Sequence, residues 1–216
     1  MRYRYILWDF NGTLLDDIDA SIASVSDLLI FHNKKPMTKE RYYGIMEMPI
    51  IRYYEKLFDL QQVPFSQIAQ EFDAGYARHS DLIRLADGAR EALQELQEQG
   101  KRQLILSSYE QSRIERLLRQ YGIDGYFTQV LGADNIHAES KLQRALDWLQ
   151  TEQADPREVV VIGDLVHDFE VAQAIGADCV LVTYGHQGEE DLRRCGTTLL
   201  PSLRQLIQVL EEQGRV

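Results

Sequence analysis

Residues 3–13 read YRYILWDFNGT. The first part, Tyr3 to Trp8, is rich in β-forming residues and predicts a buried first strand. Asp9 to Thr13 would then follow the carboxyl end of this strand, where open α/β sheets bind their ligands. A second interpretation stays open, because Asn-Gly is a strong hairpin signal and an Asp after a strand can simply begin a turn.

Strand and helix patterns alternate along most of the remaining chain. After Tyr3–Trp8, the predicted strands are Gln103–Leu106, Phe127–Leu131, Val159–Ile162 and Cys179–Val182. Helical patterns lie between most of them, at Ala89–Gln99, Ser112–Tyr121, Leu142–Gln150 and Phe169–Ile175, and Gly100, Gly122 and Gly176 close three of these helices. This alternation predicts an α/β fold with a doubly wound, mostly parallel sheet covered on both faces.

Residues 16–85 interrupt this alternation, because they contain no convincing strand and several amphipathic helical patterns. The predicted helices are Ile18–Phe31, Thr38–Gly44, Ile50–Leu60 and Ser66–His79, and prolines separate several of them. We therefore predict an α/β core domain from residues 1–15 and 86–216, with an inserted α-helical domain at residues 16–85. The aromatic residues of the insert are typical of a small packed core.

Composition narrows the class of protein. The 216 residues include 23 Lys and Arg against 34 Asp and Glu, which gives a net charge of −11. This charge disfavours nucleic acid as a partner. The two cysteines, Cys179 and Cys195, match no zinc spacing or disulfide framework. The N-terminal run resembles neither a signal peptide nor a membrane span. We expect a cytoplasmic protein that does not associate with membranes.

Polar residues follow other predicted strands too. Ser107 ends the run QLILS, Lys141 opens a predicted helix, and the run VVVIGDLVHD carries Asp164 and Asp168. Each has an ordinary interpretation: a turn or cap hydroxyl for Ser107, a surface side chain for Lys141 and a helix N-cap for Asp168. However, a cation in the first turn of a helix opposes the helix dipole, so Lys141 needs a further reason for its position.

If the first and fourth predicted strands are neighbours, Asp9, Asp164 and Asp168 meet at one edge of the sheet. Grouped carboxylates repel one another, and a hard divalent cation is the usual remedy. A site of few carboxylates, completed by water and a substrate phosphate, suits Mg²⁺ better than Ca²⁺. The sequence therefore predicts a Mg²⁺ site that serves a phosphorylated ligand.

Taken in order, these signals resemble the motifs of the haloacid dehalogenase (HAD) superfamily, particularly its phosphoglycolate phosphatase-like members with a helical cap. Asp9 and Thr13 match the first motif, Ser107 the second and Lys141 the third, while Gly163, Asp164 and Asp168 match the fourth. The resemblance covers nearly the whole chain, including the helical insert and the segment ADCVLVTYGH at residues 177–186. It implies a Rossmann-like core with a helical cap at residues 16–85.

The resemblance also implies a phosphatase with Asp9 as the nucleophile that forms an aspartyl-phosphate. The implied Mg²⁺ ligands are the Asp9 carboxylate, the backbone carbonyl of Asn11 and the Asp164 carboxylate. Asp168 completes the metal site by binding the water shell of the ion, or else orients Lys141. Four residues are the implied phosphate-binding set: Thr13, Ser107, Ser108 and Lys141. The implied substrate is a small phosphorylated metabolite, a phosphate monoester, whose leaving group is selected by closure of the cap. Separately, we expect a monomer or homodimer.

Asn11 departs from the family pattern, which has an aspartate acid/base at this position. An amide can form hydrogen bonds but cannot transfer a proton, and such assistance is typically worth about 10² to 10⁴ in rate. One interpretation is a phosphatase whose substrate has a good leaving group, such as an acyl phosphate, or carries its own proton donor. A second is a weak or inactive protein that binds a phospholigand. His167, near the fourth motif, is a candidate replacement acid, with a solvated or capping histidine as the alternative.

A third interpretation is carbon–phosphorus cleavage similar to that of phosphonatase, in which a cap lysine forms a Schiff base. The candidate lysines are Lys34, Lys35, Lys39 and Lys56. None of them lies in an apolar run that would depress the pKa of its ammonium group.

Overall fold

The computed structural model describes residues 2–133 and 141–213. Its strands are β1 (Tyr5–Trp8), β2 (Leu15–Asp16), β3 (Arg84–Leu85), β4 (Arg102–Glu110), β5 (Phe127–Ala133), β6 (Val159–Gly163), β7 (Asp178–Val182) and β8 (Thr198–Leu200). Its helices are α1 (Ile18–Phe31), α2 (Lys39–Ile45), α3 (Ile50–Glu55), α4 (Phe65–Arg78), α5 (Ala89–Glu98), α6 (Gln111–Gln120), α7 (Lys141–Glu152), α8 (Val166–Ile175), α9 (Glu189–Arg194) and α10 (Leu206–Gln213).

The main sheet has six strands in the order β5-β4-β1-β6-β7-β8, and every neighbouring pair is parallel. The order reverses at β1, which lies between β4 and β6, as in a doubly wound sheet. In the register of β1 and β6, Trp8 lies opposite Ile162. The predicted α/β class and parallel sheet are therefore confirmed, and so is the pairing of the first and fourth predicted strands.

The core explains why the central strands are continuous apolar runs. Each residue of β1 and β6 is buried, because helices cover a parallel sheet on both faces. Tyr5 packs edge-on against Trp148 of α7, with ring centroids 5.2 Å apart. Trp8 donates from Nε1 to Oε1 of the buried Gln103, 3.1 Å away, so this core also holds a satisfied polar pair.

Several predicted boundaries were wrong. Strand β4 does not end near Leu106 but runs to Glu110, past a register shift relative to β5. Helix α8 begins at Val166 rather than Phe169, and α3 ends at Glu55 rather than Leu60. The short strand β8 and helices α9 and α10 were not predicted, because three-residue edge strands and short helices carry little periodic signal.

The interval predicted to be purely helical also contains two short strands, β2 and β3, which pair in a separate two-stranded sheet. Two-residue strands are too short for an alternating pattern, so only their pairing partner reveals them. Elsewhere in the interval the prediction of helices is confirmed by α1, α2, α3 and α4.

The described chain divides into two compact units. An α/β unit comprises Met1–Asp16, Leu85–Gly185 and Glu189–Val216, and a helical unit comprises Asp17–Arg84 and His186–Gly188. The helical unit has its own aromatic core, in which Tyr42, Tyr53, Tyr54 and Phe58 are buried. This packing agrees with the sequence-based interpretation of its aromatic residues.

Of the helices within residues 2–133 and 141–213, none combines the length and the apolar character that a bilayer crossing requires.

Candidate active site

Three buried carboxylates meet at the carboxyl edge of the main sheet. Asp9 follows β1, Asp164 follows β6, and Asp168 lies in the first turn of α8. One oxygen from each lies within 4.8 Å of the others. The backbone N–H of Asp9 donates to the carbonyl of Ile162 at 2.8 Å, which fixes the end of β1 beside the end of β6. The cluster predicted from the strand ends is therefore present.

Lys141 joins two of these carboxylates. Its Nζ atom lies 2.5 Å from Oδ1 of Asp9 and 2.6 Å from Oδ1 of Asp168, and its side chain is almost fully buried. Burial by itself lowers the pKa of the Lys141 ammonium group, but the negative charges of Asp168 and Asp9 outweigh burial and raise that pKa above its ordinary value. Lys141 therefore stays positively charged in the acid cluster, which explains a cation at this helix N-terminus.

Asp168 holds the cluster together through its second oxygen. Oδ2 accepts hydrogen bonds from the backbone N–H groups of Asp164 at 3.0 Å and Leu165 at 2.9 Å. Asp168 therefore caps α8 from inside its first turn, while its other oxygen binds Lys141. Asp168 is thus not the predicted N-cap, a position that Leu165 holds, but the third residue of the helix, and it combines a capping contact with membership of the acid cluster.

Thr13 fixes the orientation of Asp164. Its hydroxyl donates to Oδ1 of Asp164 at 3.0 Å, and both residues are fully buried. The backbone carbonyl of Thr13 accepts a hydrogen bond from the Tyr184 hydroxyl at 2.6 Å. Burial raises the pKa of Tyr184, so that hydroxyl keeps its proton. Sequence reasoning did not single out Tyr184.

Two glycines make room for the carboxylates. A Cβ atom built on Gly163 would lie 2.3 Å from Cγ of Asp168, and one built on Gly185 would lie 2.3 Å from Oδ2 of Asp164. Side-chain carbons do not approach other atoms so closely, so both positions require glycine. Gly163 was identified from its motif, whereas the role of Gly185 depends on a contact between distant parts of the chain.

The charges in the cluster do not balance. Burial is the largest influence on the pKa of Asp9 and raises it; the Lys141 ammonium lowers it, and the charges of Asp168 and Asp164 raise it again. The resulting pKa lies well above the ordinary value, because burial and the two neighbouring carboxylates together outweigh the one ammonium. The donor set is all oxygen, as hard divalent cations prefer. These residues therefore fit a metal ion, whose positive charge would favour the charged form of Asp9.

Ser107 and Ser108 differ in exposure. Ser107 is 3% exposed, whereas Ser108 is exposed to solvent. The Oγ atom of Ser107 accepts a hydrogen bond from the backbone N–H of Tyr109 at 3.2 Å, which leaves the hydroxyl proton for another acceptor. Both serines lie within β4 rather than after it, in the stretch where the register with β5 shifts.

Asn11 and His167, the two residues considered for the acid/base role, lie in different parts of the α/β unit. Asn11 lies in the turn after Asp9, where its backbone bridges to Leu15. His167 lies on α8 with Nδ1 3.5 Å from Oε2 of Glu170, an exposed ion-pair partner one helical turn further on. This surface pair agrees with the ordinary interpretation of His167.

His186 was assigned no role from the sequence, yet it belongs to a buried polar network in the helical unit. Its Nε2 atom lies 3.1 Å from Oδ1 of Asp17, and its Nδ1 atom lies 3.0 Å from the Tyr42 hydroxyl. The Tyr76 hydroxyl donates to Oδ2 of Asp17 at 2.6 Å. A lone histidine carries no sequence signal for such partners, because they are far away along the chain.

Comparisons with known proteins agree with this fold and site. Residues 6–182 match the sequence profile of the family described as haloacid dehalogenase-like hydrolase. A phosphoglycolate phosphatase from Pseudomonas fluorescens is 25% identical over 213 residues, which cover 94% of this chain and 78% of that protein. The pyrophosphatase PpaX from Bacillus cereus is 23% identical over the full length of both chains.

A solved structure of similar fold is a haloacid dehalogenase-like family hydrolase from Streptococcus pneumoniae. It superimposes with a TM-score of 0.84 and 19% identity, covering 97% of this chain and 99% of that one. Fold and site together define an α/β enzyme of the hydrolase class. The chain belongs to the haloacid dehalogenase-like hydrolase family, and the predicted resemblance is confirmed.

Proposed function

We propose that the chain is a Mg²⁺-dependent phosphatase that hydrolyses a small phosphorylated metabolite through an aspartyl-phosphate on Asp9. The observation that carries this proposal is the buried Lys141 ammonium between Asp9 and Asp168, with Asp164 in the same cluster. Membership of the hydrolase family supports it, and so do relatives that are named phosphoglycolate phosphatase and pyrophosphatase.

In the proposed reaction, a carboxylate oxygen of Asp9 attacks the substrate phosphorus. The bond between phosphorus and the leaving oxygen breaks, and the leaving group takes its electron pair. Water then attacks the phosphorus of the aspartyl-phosphate, which releases orthophosphate and restores the Asp9 carboxylate. Lys141 orients Asp9 for attack, because its ammonium contacts Oδ1 and leaves the second oxygen to react.

Four residues would hold the Mg²⁺ ion: Asp9, Asp164, Asn11 through its backbone carbonyl, and Asp168 either directly or through water. When bound, Mg²⁺ supplies positive charge that offsets the repulsion between a carboxylate nucleophile and a phosphate dianion. Thr13 and Gly185 keep Asp164 in place through a hydrogen bond and through close packing.

The equatorial phosphoryl oxygens need donors in a buried setting. Lys141 and the hydroxyl of Ser107 are suited to this role because both are buried at the same edge of the sheet. Ser108 is exposed and would act at the open side of the site. The hydroxyl of Thr13 already donates to Asp164, so we propose that Thr13 binds phosphate through its backbone N–H.

Asn11 points to the class of substrate. Without a carboxyl group at this position, departure of a poor leaving group such as an alkoxide lacks a proton donor. A carboxylate or phosphate leaving group departs as an anion and needs no proton. We therefore propose an acyl phosphate or phosphoanhydride as the preferred substrate, with ordinary monoesters such as phosphoglycolate turned over more slowly. The relative named pyrophosphatase is consistent with an anhydride.

The test is Mg²⁺-dependent phosphate release from acetyl phosphate, p-nitrophenyl phosphate and phosphoglycolate by the wild type, Asp9→Asn and Asn11→Asp. We expect the wild-type kcat/KM, which reports phosphoryl transfer to Asp9, to follow leaving-group quality, and Asp9→Asn to abolish activity. Asn11→Asp should raise kcat/KM most for phosphoglycolate. Equal activity in Asp9→Asn and the wild type would refute the proposed nucleophile.

The second candidate is a protein that binds a phospholigand with little or no turnover, and Asn11 is the residue that favours it. It predicts Mg²⁺-dependent binding of orthophosphate by calorimetry, with no phosphate release from any of the substrates even in Asn11→Asp. The Schiff-base alternative has less support, because Lys34, Lys35, Lys39 and Lys56 are all exposed, whereas a Schiff-base lysine is typically desolvated in an apolar pocket.

The remaining features stay predictions. We propose that the helical unit acts as the cap that excludes water and selects the leaving group. A cytoplasmic location and the absence of nucleic acid and membrane partners are proposed from composition and charge. A monomeric or homodimeric assembly stays an expectation.

A further inference from the structure

Arg144 connects the first turn of α7 to strand β4. Its Nη2 atom donates a hydrogen bond to the backbone carbonyl of Ser107 at 2.8 Å, and its side chain is half-buried. Arg144 lies three residues after Lys141, so the two side chains project from the same face of α7. Lys141 reaches the acid cluster while Arg144 reaches the strand that carries Ser107.

The stretch around Ser107 lies where the pairing of β4 is irregular. The regular pairing of β4 with β5 includes Leu106 opposite Leu131 and resumes only at Glu110 opposite Ala133. On the other side, the pairing of β4 with β1 reaches Ile105 opposite Trp8. Residues 107–109 therefore lie at an irregularity of the β4–β5 ladder and past the end of the β4–β1 ladder.

Two hydrogen bonds hold Ser107 at this irregularity. The Arg144 guanidinium holds the Ser107 carbonyl, and the Tyr109 N–H binds the Ser107 hydroxyl oxygen. Guanidinium is always charged and has a rigid geometry, so it holds a carbonyl in a defined place. Together the two contacts hold the Ser107 backbone and restrict the position of its hydroxyl oxygen.

We infer that Arg144 is a positioning residue, which orients the Ser107 hydroxyl toward the substrate phosphoryl group from the same helical turn that carries Lys141. The inference rests on the proposed function, because it assumes that Ser107 binds phosphate. Arg144 is not itself a catalytic residue in this account; its effect on phosphate passes through Ser107.

A double-mutant cycle with Arg144→Met and Ser107→Ala tests this inference. The readouts are the Mg²⁺-dependent affinity for orthophosphate by calorimetry and the KM and kcat for acetyl phosphate. Arg144→Met alone should weaken phosphate binding and raise KM on the order of tenfold, the usual effect of one lost hydrogen bond to a charged group. In the Ser107→Ala background, the same change should alter both values by less than about twofold, because coupled residues are non-additive.

Two further variants separate positioning from folding. Arg144→Lys keeps a cationic donor and should recover part of the phosphate affinity. Arg157→Met removes an exposed arginine paired with Asp155 and should leave phosphate affinity unchanged. If Arg144→Met fails to fold, the Arg144→Lys and Arg144→Gln variants replace it in the cycle, with the same expected non-additivity.

The outcomes distinguish failure of the positioning role of Arg144 from failure of the proposed phosphatase function. If the wild type hydrolyses acetyl phosphate and Arg144→Met binds orthophosphate as tightly as the wild type does, only the role of Arg144 would be overturned. An equal loss in the wild-type and Ser107→Ala backgrounds would also overturn it, because the effect would then not pass through Ser107. A wild type that neither binds orthophosphate nor hydrolyses acetyl phosphate in Mg²⁺ would overturn both the inference and the proposed function.

Discussion

Lys141 and Asp168 form a buried ion pair, with Nζ 2.6 Å from Oδ1. The other oxygen of Asp168 accepts backbone N–H groups at the start of α8. A single carboxylate therefore connects the ammonium of one helix to the N-terminus of another, and Asp9 shares the same ammonium. The stability of this edge of the sheet should depend on Lys141.

Lys141→Met should destabilise the protein by about 3–5 kcal/mol in the absence of Mg²⁺, because it leaves buried carboxylates without their positive partner. Mg²⁺ should restore more stability to this variant than to the wild type, since the ion would replace part of the lost charge. Urea unfolding with and without Mg²⁺ measures both effects. Lys35→Met, at an exposed position, is the matched control and should change stability by less than about 0.5 kcal/mol. A Lys141→Met variant as stable as the wild type without Mg²⁺ would contradict this account.

Gly185→Ala should weaken Mg²⁺ binding, because the added methyl group would displace the Asp164 carboxylate from the cluster. The affinity of the protein for Mg²⁺, measured by calorimetry, should fall on the order of tenfold or more, as expected when a supporting contact of a ligand is lost. Gly125→Ala is the control, since a methyl group there meets nothing within 4 Å. Unchanged Mg²⁺ affinity in Gly185→Ala would show that Asp164 does not depend on this contact.

Gln103→Leu should destabilise the α/β unit although it makes a buried position more apolar. Gln103 accepts from Trp8 Nε1 and donates from Nε2 to the Leu93 carbonyl at 2.8 Å. The Leu93 carbonyl lies within α5 and keeps its helical N–H donor, so leucine would leave the buried Trp8 indole N–H unsatisfied. The expected cost is about 1–3 kcal/mol, measured by chemical denaturation. The exposed Gln94 offers the control Gln94→Leu, which should be near neutral. A Gln103→Leu protein more stable than the wild type would refute this explanation.

Tyr76→Phe should destabilise the helical unit, because it removes a hydrogen bond to the buried Asp17. Loss of one donor to a buried carboxylate should cost about 1.5–3 kcal/mol. Hydrogen exchange measured along the chain should show the loss of protection in α1 and α4 rather than in the main sheet. Uniform loss of protection across the sheet and helices would contradict a local network.

Much of the site could be predicted from sequence because its chemistry lies at strand ends. Asp9, Asp164 and Lys141 each follow or open a strongly patterned element, and parallel strands bring their carboxyl ends to the same edge. The apolar runs of β1 and β6 indicated their central place, and the structure confirms that they are neighbours. For these residues, the local sequence was sufficient to predict that they lie at the carboxyl edge of the sheet.

Other features depend on contacts between distant residues and carry no local signal. Gly185 must be glycine only because Asp164 packs against it, and His186 is buried only because Asp17 and Tyr42 bind it. The extension of β4 beyond Leu106 was missed because a serine pair followed by polar residues resembles a turn. Register shifts are set by pairing rather than by composition.

The central claim is that Asp9 carries the phosphoryl group, and detection of that intermediate tests it most directly. Wild type, Asp9→Asn and Asn11→Asp are mixed with acetyl phosphate and Mg²⁺, quenched rapidly in acid and analysed by mass spectrometry of the peptide that contains Asp9. Because Asn11 cannot deprotonate the attacking water, the wild-type phosphoenzyme should accumulate. It should be shorter-lived in Asn11→Asp and absent from Asp9→Asn. Release of phosphate by the wild type with no phosphoryl group on this peptide at any quench time would contradict the account.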